Sequence, residues 1–143
     1  MDLFESFLQM FIRFRYPVSL PQDIGQALGI EMDNRISFSN LLTCCCDSQP
    51  SSLSKFMARI DAENVFHNAL RKERFKHSSL FSFYFNEGWL EFELLFDHHS
   101  RLRRVYLHHK QISGHHGHEL SLSVDKQALS QIALEHPDSL FIA

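Results

Sequence analysis

Glycine and proline are scarce in this sequence, which has five glycines and four prolines among its 143 residues. Chains that stay disordered are usually rich in such residues and poor in large apolar ones. This chain instead has fourteen phenylalanines and is 44% hydrophobic. The composition therefore predicts packed helices and strands, and the length suits one globular domain over residues 1–143.

Cysteine is rarer still, and its three copies stand side by side as Cys44, Cys45 and Cys46. A disulfide framework needs spaced cysteines, so this pattern excludes one and favours a reducing compartment. The sequence also lacks the uncharged apolar run of about 18 residues that indicates a membrane-spanning helix. We therefore expect a cytoplasmic protein that does not cross a membrane.

An excess of basic residues is absent as well, since Lys and Arg total 14, Asp and Glu total 17, and the formal net charge is −3. General nucleic-acid binding needs clustered Lys and Arg. The segment from Pro21 to Cys46 does contain two short predicted helices, with Ser37 placed to cap the second. That second helix lacks Lys and Arg, so it has few side chains that could contact phosphates or base edges of DNA. We do not expect a nucleic-acid partner, and a transcriptional regulator of the helix-turn-helix type is the second alternative.

The N-terminal segment carries apolar residues at helical spacing. Five of them share one stripe at i, i+3, i+4, i+7 and i+8: Phe4, Phe7, Leu8, Phe11 and Ile12. The spacing predicts an amphipathic helix over 3–14 whose apolar surface is wide enough to need a cover. Asp2 and Glu5 stand where a secretory signal carries positive charge, which again favours the cytoplasm. We expect Phe4, Phe7 and Phe11 to bind a partner and to mediate self-association.

Helical spacing continues through the next part of the chain, after a loop at 47–52. One apolar stripe runs from Leu53 to Ile60, and a second runs from Ala62 to Leu70. Asp61 stands between them as a candidate cap. The pattern predicts two helices, so the helical part of the domain is expected to extend to about residue 76.

The period then changes from helical to alternating. In the segment LFSFYFNEGWLEFELLF, large apolar residues alternate with other residues, and Asn86, Glu87 and Gly88 fit a hairpin loop. RLRRVYLHH and ELSLSV fit further strands, so an antiparallel meander of three to four strands is predicted over about 79–124. Asp125 then caps a predicted helix over 125–136. The fold class is α+β, and Tyr84 and Tyr106 are expected on the outer sheet face as partner-binding residues.

Seven of the ten histidines lie between residues 97 and 119. His108, His116 and His118 are the candidate metal ligands, because zinc needs three or four such groups on one site. The competing interpretation is a solvated polar loop, since SGHHGH contains two glycines between predicted strands. A third role is a pH switch, which would change association between about pH 5.5 and 7.

No motif in the sequence names a reaction, so no catalytic residue is assigned. The main hypothesis is a small, non-enzymatic cytosolic protein-interaction module, adaptor or chaperone-like, that binds another polypeptide and forms a homo-oligomer. The first alternative is a His-ligated metal-binding protein or a metal-dependent hydrolase with zinc as its cofactor. The main hypothesis requires no cofactor.

Overall fold

The computed structural model describes residues 16–112 and 116–135. The first helix, α1 (Pro21–Leu28), begins at Pro21 and is followed by Gly29. Proline suits the first turn of a helix because an amide hydrogen there has no partner within the helix. Gly29 ends α1 with a φ of 68°, and a Cβ at this position would clash with Ser51. The backbone angle and the close approach both require glycine.

The second helix, α2 (Phe38–Asp47), begins where its sequence predicts. Ser37 is the N-cap, and its Oγ accepts a hydrogen bond from the amide of Asn40 at 3.2 Å. This bond satisfies one of the amides that the first turn of a helix leaves without a partner. Along the chain, α2 is followed by β1 (Ser54–Lys55) and by the short helix α3 (Arg59–Asn64).

Five antiparallel strands form the main sheet. They are β2 (Arg71–Arg74), β3 (Ser78–Phe85), β4 (Gly88–Phe96), β5 (Leu102–His108) and β6 (His118–Glu119). Their order in the sheet is the same as their order along the chain. The α+β class and the antiparallel sheet are therefore confirmed, with one strand more than the predicted maximum.

The main core lies between the helices and one face of the sheet, which we call the inner face. Its sheet residues alternate along β3, β4 and β5, and nine of them are buried: Phe81, Phe83, Phe85, Leu90, Phe92, Leu94, Phe96, Val105 and Leu107. Helix α1 contributes Ile24 and Leu28, and α2 contributes Leu41. Burial of this many apolar side chains on one face fixes the register of the strands, because a shift by one residue would turn them all outward.

The C-terminal part of the described chain is attached separately. Strand β7 (Ser123–Val124) pairs in parallel with β1, and helix α4 (Lys126–Glu135) follows. The Oδ1 of Asp125 accepts a hydrogen bond from the amide of Ala128 at 3.1 Å, so the predicted cap and C-terminal helix are confirmed. Helix α4 rests on a small second cluster in which three residues are buried: Phe56, Ala128 and Ile132.

Two predictions for residues 53–76 were wrong. The stripe from Leu53 to Ile60 is not one helix, because residues 54–55 form β1 and helix α3 begins only at Arg59. Asp61 lies within the first turn of α3, whose N-cap is Ala58. Residues 71–74, predicted at the end of a helix, form β2 because they pair with β3. Strand pairing decides both cases, with the distant β7 for β1 and with the neighbouring β3 for β2, and an apolar stripe does not encode it.

Candidate functional site

Strand β2 lies at one edge of the main sheet, and its four residues are all exposed. Among the described strands, it pairs only with β3. The amide of Phe75 donates to the carbonyl of Ser78 at 2.8 Å, next to the turn of this hairpin. Because hydrogen-bonded and non-bonded pairs alternate along an antiparallel ladder, the backbone N–H and C=O groups of Lys72 and Arg74 point away from β3. A further extended segment can pair with them.

A hollow of about 260 Å³ lies between β2 and α3. Phe81, which is buried, belongs to its lining, and Ile60 of α3 stands beside it with 60% of its surface exposed. Lys72 lies opposite Phe81 in the register, so its side chain faces the same side of the sheet. The volume falls below the roughly 300–1,000 Å³ of ordinary small-molecule sites. It suits single side chains of a bound segment.

Arg59 holds the hairpin that presents this edge. Its side chain is 7% exposed. Its guanidinium donates to three backbone carbonyls of the β2–β3 connection, those of Phe75 at 2.6 Å, Lys76 at 2.7 Å and Ser78 at 3.0 Å. It also stacks over the ring of Phe96, with 4.6 Å between the guanidinium carbon and the ring centre. A buried cation satisfied in this way fixes the turn against α3.

Glu63 completes the cluster one helical turn after Arg59. Its Oε2 lies 3.3 Å from Arg59 Nε and 3.2 Å from Arg74 Nε, and it accepts a hydrogen bond from the hydroxyl of Ser79. Burial alone would raise the pKa of Glu63. The hydrogen bonds from Ser79 and Arg59, together with the charges of Arg74 and Arg59, outweigh it and hold the pKa below its ordinary value. The carboxylate therefore stays charged and anchors β2 to α3.

Positive charge dominates the exposed edge. Arg71, Lys72 and Arg74 lie on β2 with one acidic residue, Glu73, which pairs with Arg71 at 3.2 Å. Phe75 follows directly and is 54% exposed. Lysine and arginine on an edge strand repel a second identical edge, which limits aggregation. The same charges favour a partner segment of opposite sign.

The sequence did not predict this site, because residues 71–76 were expected to belong to the helical part of the domain. Four consecutive polar residues show no alternation, and alternation is the signal that identifies a half-buried strand. Arg59 and Glu63 do show the i, i+4 spacing of a helical ion pair. That spacing indicates a surface pair and does not reveal the three carbonyls that Arg59 binds.

Tyr84 does not lie on an open surface as predicted. It is 5% exposed and its ring packs against Trp89, with 5.1 Å between ring centres. Ser19 lies beside it, donates its amide to the Tyr84 carbonyl at 2.7 Å, and accepts from the Tyr84 amide through its hydroxyl. Tyr16 also packs against Trp89. The segment before α1 therefore covers this end of the outer face, which strand alternation alone does not predict.

Tyr106 is half-buried on the outer face of β5. Its hydroxyl accepts a hydrogen bond from Arg104 at 3.4 Å, and its neighbours across the sheet are Glu93 and Glu119. Its surroundings are thus charged on both sides. The other predicted partner-binding residues, Phe4, Phe7 and Phe11, lie outside the described residues.

The three predicted metal ligands do not converge. His108 is on the outer face, where its Nε2 donates to Glu93 at 3.0 Å. His116 and His108 both line a separate hollow on this face. His118 lies opposite Leu107 on the inner side, and its Nε2 donates to the carbonyl of Cys46 at 3.0 Å. Within residues 16–112 and 116–135, no group of three His, Cys, Asp or Glu residues is arranged to hold a metal ion.

His109 is a structural member of the histidine-rich segment. It is 8% exposed, its Nε2 donates to the Glu87 carbonyl at 3.0 Å, and its Nδ1 accepts from the Gln111 amide at 3.0 Å. Burial lowers the pKa of this imidazole, against the raising effect of the Glu87 carbonyl. Because Nδ1 is an acceptor, the bonded form is neutral. His109 therefore ties the turn after β5 to the β3–β4 hairpin.

Neither an activated thiol at Cys45 nor a helix-turn-helix over residues 21–46 is supported by the described structure. Cys45 is buried, and burial raises the pKa of its thiol to about 12, which opposes the thiolate that a nucleophile needs. Cys44 is exposed and Cys46 is half-buried. Helix α2 carries no Lys or Arg, and residues 29–37 separate it from α1. This connection is longer than the about 3–4 residues of a DNA-binding helix-turn-helix.

No helix in the described parts of the chain has the length and apolar character needed to cross a membrane. Comparisons with protein-family models, with curated proteins and with solved structures found no match. The function is therefore inferred from the geometry of the edge strand and of the surfaces beside it.

Proposed function

We propose that this chain is a protein-interaction domain, adaptor or chaperone-like, that binds an extended segment of another polypeptide along β2. The segment adds to the sheet as a sixth strand and pairs with the backbone groups of Lys72 and Arg74. The exposed edge strand carries this proposal, because its outward N–H and C=O groups have no described strand as a partner. Recognition through the main chain explains a binding site without catalytic groups.

The hollow and the charged side chains beside β2 determine which segment binds. An apolar side chain of the partner fits the hollow beside Ile60. Acidic residues at neighbouring positions face Arg71 and Lys72. This combination of an apolar anchor and opposite charge gives a partner both affinity and orientation.

A proline substitution tests the main-chain contact directly. Lys72→Pro removes an amide that points away from β3, so it leaves the β2–β3 ladder intact while preventing strand addition. Lys72→Ala is the matched control, because it removes the same charge and keeps the amide. Peptides selected from a displayed random library on the wild-type chain serve as probes, with affinity measured by fluorescence anisotropy.

We expect Lys72→Ala to bind the selected peptides within about threefold of wild type, and Lys72→Pro to bind at least about tenfold more weakly, a difference of about 1.4 kcal/mol. Hydrogen exchange should show new protection at Lys72 and Arg74 when the wild-type chain binds peptide. Equal affinity of the two variants, or selection of no peptide, would show that β2 is not the binding site.

We further propose that the protein is cytoplasmic and forms a homo-oligomer through the predicted helix over 3–14. The wide apolar stripe supports self-association, since a solitary soluble chain rarely leaves such a surface open. Sedimentation of wild type should show a dimer or larger species at micromolar concentration, and Phe7→Asp with Phe11→Asp should shift it to monomer. A monomeric wild type contradicts this part of the proposal.

A further inference from the structure

Two adjoining hollows of about 540 and 290 Å³ lie at the end of β4, away from the open edge of β2. Lys55 and Arg103 line both of them, and Arg104, His77 and His98 line the larger one. We call the combined feature the Lys55 groove. Leu95 and Phe96 contribute apolar surface to it. The groove therefore combines cations with an apolar wall, which is the arrangement of a site for an anionic ligand that also carries apolar atoms.

The acidic residues of the groove neutralise only part of its positive charge. Asp97 accepts hydrogen bonds from the amides of His99 at 2.9 Å and Arg101 at 3.1 Å, and its other oxygen lies 3.3 Å from Arg103. Its carboxylate thus holds the β4–β5 turn and one cation. Glu119 lies 3.7 Å from Arg104 in an exposed pair, where water screens the attraction.

Lys55 has no such partner. Among the described residues, no carboxylate lies within 4.0 Å of its ammonium group. The ammonium instead lies over the ring of Phe56, 5.5 Å from the ring centre, while the guanidinium of Arg103 lies 4.9 Å from the same centre. Both cations also line the same two hollows, so an anion bound there would meet the ammonium group of Lys55, which no described carboxylate neutralises.

The backbone fixes this arrangement before any ligand binds. Phe56 has a φ of 76°, which is rare for a bulky residue. Its amide donates to the carbonyl of Leu102 at 2.7 Å, and its ring is held in the small cluster with Ala128 and Ile132. Strained backbone that its surroundings enforce is common at binding sites. The ring held in this way lies within cation–π distance of both Lys55 and Arg103.

We infer that the Lys55 groove binds a carboxylate-rich segment of a polypeptide that also carries a large apolar side chain. Lys55 supplies the main charge contact to a carboxylate of the ligand, and Arg104, whose pair with Glu119 is exposed to solvent, supplies a second one. The apolar atoms of Leu95 receive the apolar side chain. A long polyanion such as nucleic acid is disfavoured, since the chain as a whole has a net charge of −3. The groove is a separate surface from β2, so this inference does not rest on strand addition.

Synthetic peptides provide the test. The probe is Glu-Glu-Phe-Glu-Glu with a fluorescent label, and the comparison peptides are Gln-Gln-Phe-Gln-Gln and five consecutive glutamates. A single-stranded oligonucleotide of ten nucleotides represents the other polyanion. Anisotropy titrations use the full chain at low salt, with Lys55→Glu as the test variant. Lys110→Glu is the control, because it makes the same charge change at an exposed lysine outside the groove.

We expect the Glu-Phe probe to bind wild type at least tenfold more tightly than either comparison peptide. Lys55→Glu should weaken it at least tenfold, and Lys110→Glu and Lys72→Pro should each change it by less than twofold. Should Lys55→Glu unfold, Lys55→Gln replaces it with an expected loss of about threefold. Equal losses at positions 55 and 110, no binding by wild type, or stronger binding of the oligonucleotide would each overturn the inference. A loss confined to Lys72→Pro would assign the peptide to the edge strand instead.

Discussion

The β2–β3 hairpin and the C-terminal helix α4 are both attached to the side of the main core, but different forces hold them. The hairpin is fixed by the buried guanidinium of Arg59 and the carboxylate of Glu63. Helix α4 is fixed by three buried residues and a parallel strand pair of two residues each. Each attachment lies beside a proposed binding surface. One surface therefore depends on electrostatics and hydrogen bonds, while the other depends on a small apolar cluster and a strained backbone.

Removing the guanidinium should have the largest effect. Arg59→Ala leaves three backbone carbonyls without this donor and removes the buried cation beside Glu63, so we expect a loss of about 3–5 kcal/mol in the free energy of unfolding. Arg74→Ala is the matched control, because it removes the exposed partner of the same carboxylate and should cost about 0–1 kcal/mol. Urea denaturation measures both. Similar small losses in the two variants would mean that the buried cation does not hold the hairpin.

Shortening a side chain under α4 should have a smaller and more local effect. Ile132→Ala removes one of three buried residues in the second cluster, and we expect about 2 kcal/mol, the low end for such a change, because the site is near the surface. Hydrogen exchange should show faster exchange in α4 with unchanged protection in β3 and β4. Leu134→Ala, at an exposed position, should cost less than about 0.5 kcal/mol. Loss of protection throughout the sheet would show that α4 and the core unfold as one unit.

Two substitutions of Phe56 distinguish the contribution of its ring from the cost of its backbone strain. Both Phe56→Ala and Phe56→Gly remove the ring, but only glycine adopts a φ of 76° without a steric penalty. We therefore expect the glycine variant to be more stable than the alanine variant by about 1 kcal/mol. An alanine variant is normally more stable than a glycine variant, because alanine restricts the conformations of the unfolded chain. An alanine variant as stable as the glycine variant would indicate that residue 56 carries no strain.

The smallest expected effect is a change in pH dependence. The pKa of Glu63 is held below its ordinary value in the folded chain. Its stabilisation is therefore complete above the unfolded pKa of about 4.3 and is lost as the pH falls below it. Glu63→Gln should make the free energy of unfolding fall less steeply between about pH 5 and 3. Thermal unfolding at a series of pH values compares the slopes, and identical slopes would count against a charged anchor.

Much of the sheet was predictable from the sequence, because its strands bury one face. Phe81, Phe83 and Phe85 alternate in β3, and the matching residues of β4 and β5 alternate likewise, so the period alone locates the strands. The caps Ser37 and Asp125 were also predictable, since capping acts within three residues. These are local signals, and the structure confirms them.

The proposed binding surfaces were not predictable in the same way. Strand β2 has no apolar face of its own, and β1 exists only because residue 54 meets residue 123. From the sequence alone, Arg59 is expected to be a surface residue of a helix. Its burial depends on the carbonyls near residue 76, which the fold places against its guanidinium. The pairing of β1 and the carbonyl contacts of Arg59 depend on segments well separated in the chain, and the pairing of β2 depends on its neighbour β3. Neither periodicity nor residue type encodes such contacts.

The parallel pair of β1 and β7 also sets an order of assembly. The β2–β3, β3–β4 and β4–β5 pairs join segments next to one another in the chain, so they close short loops and form early. One wall of the Lys55 groove instead comes from residues 119–122, far along the chain from residue 55. During synthesis on the ribosome, that wall is therefore added only after residues 119–122 have emerged. A segment that occupies the groove would report that these distant parts of the chain have come together.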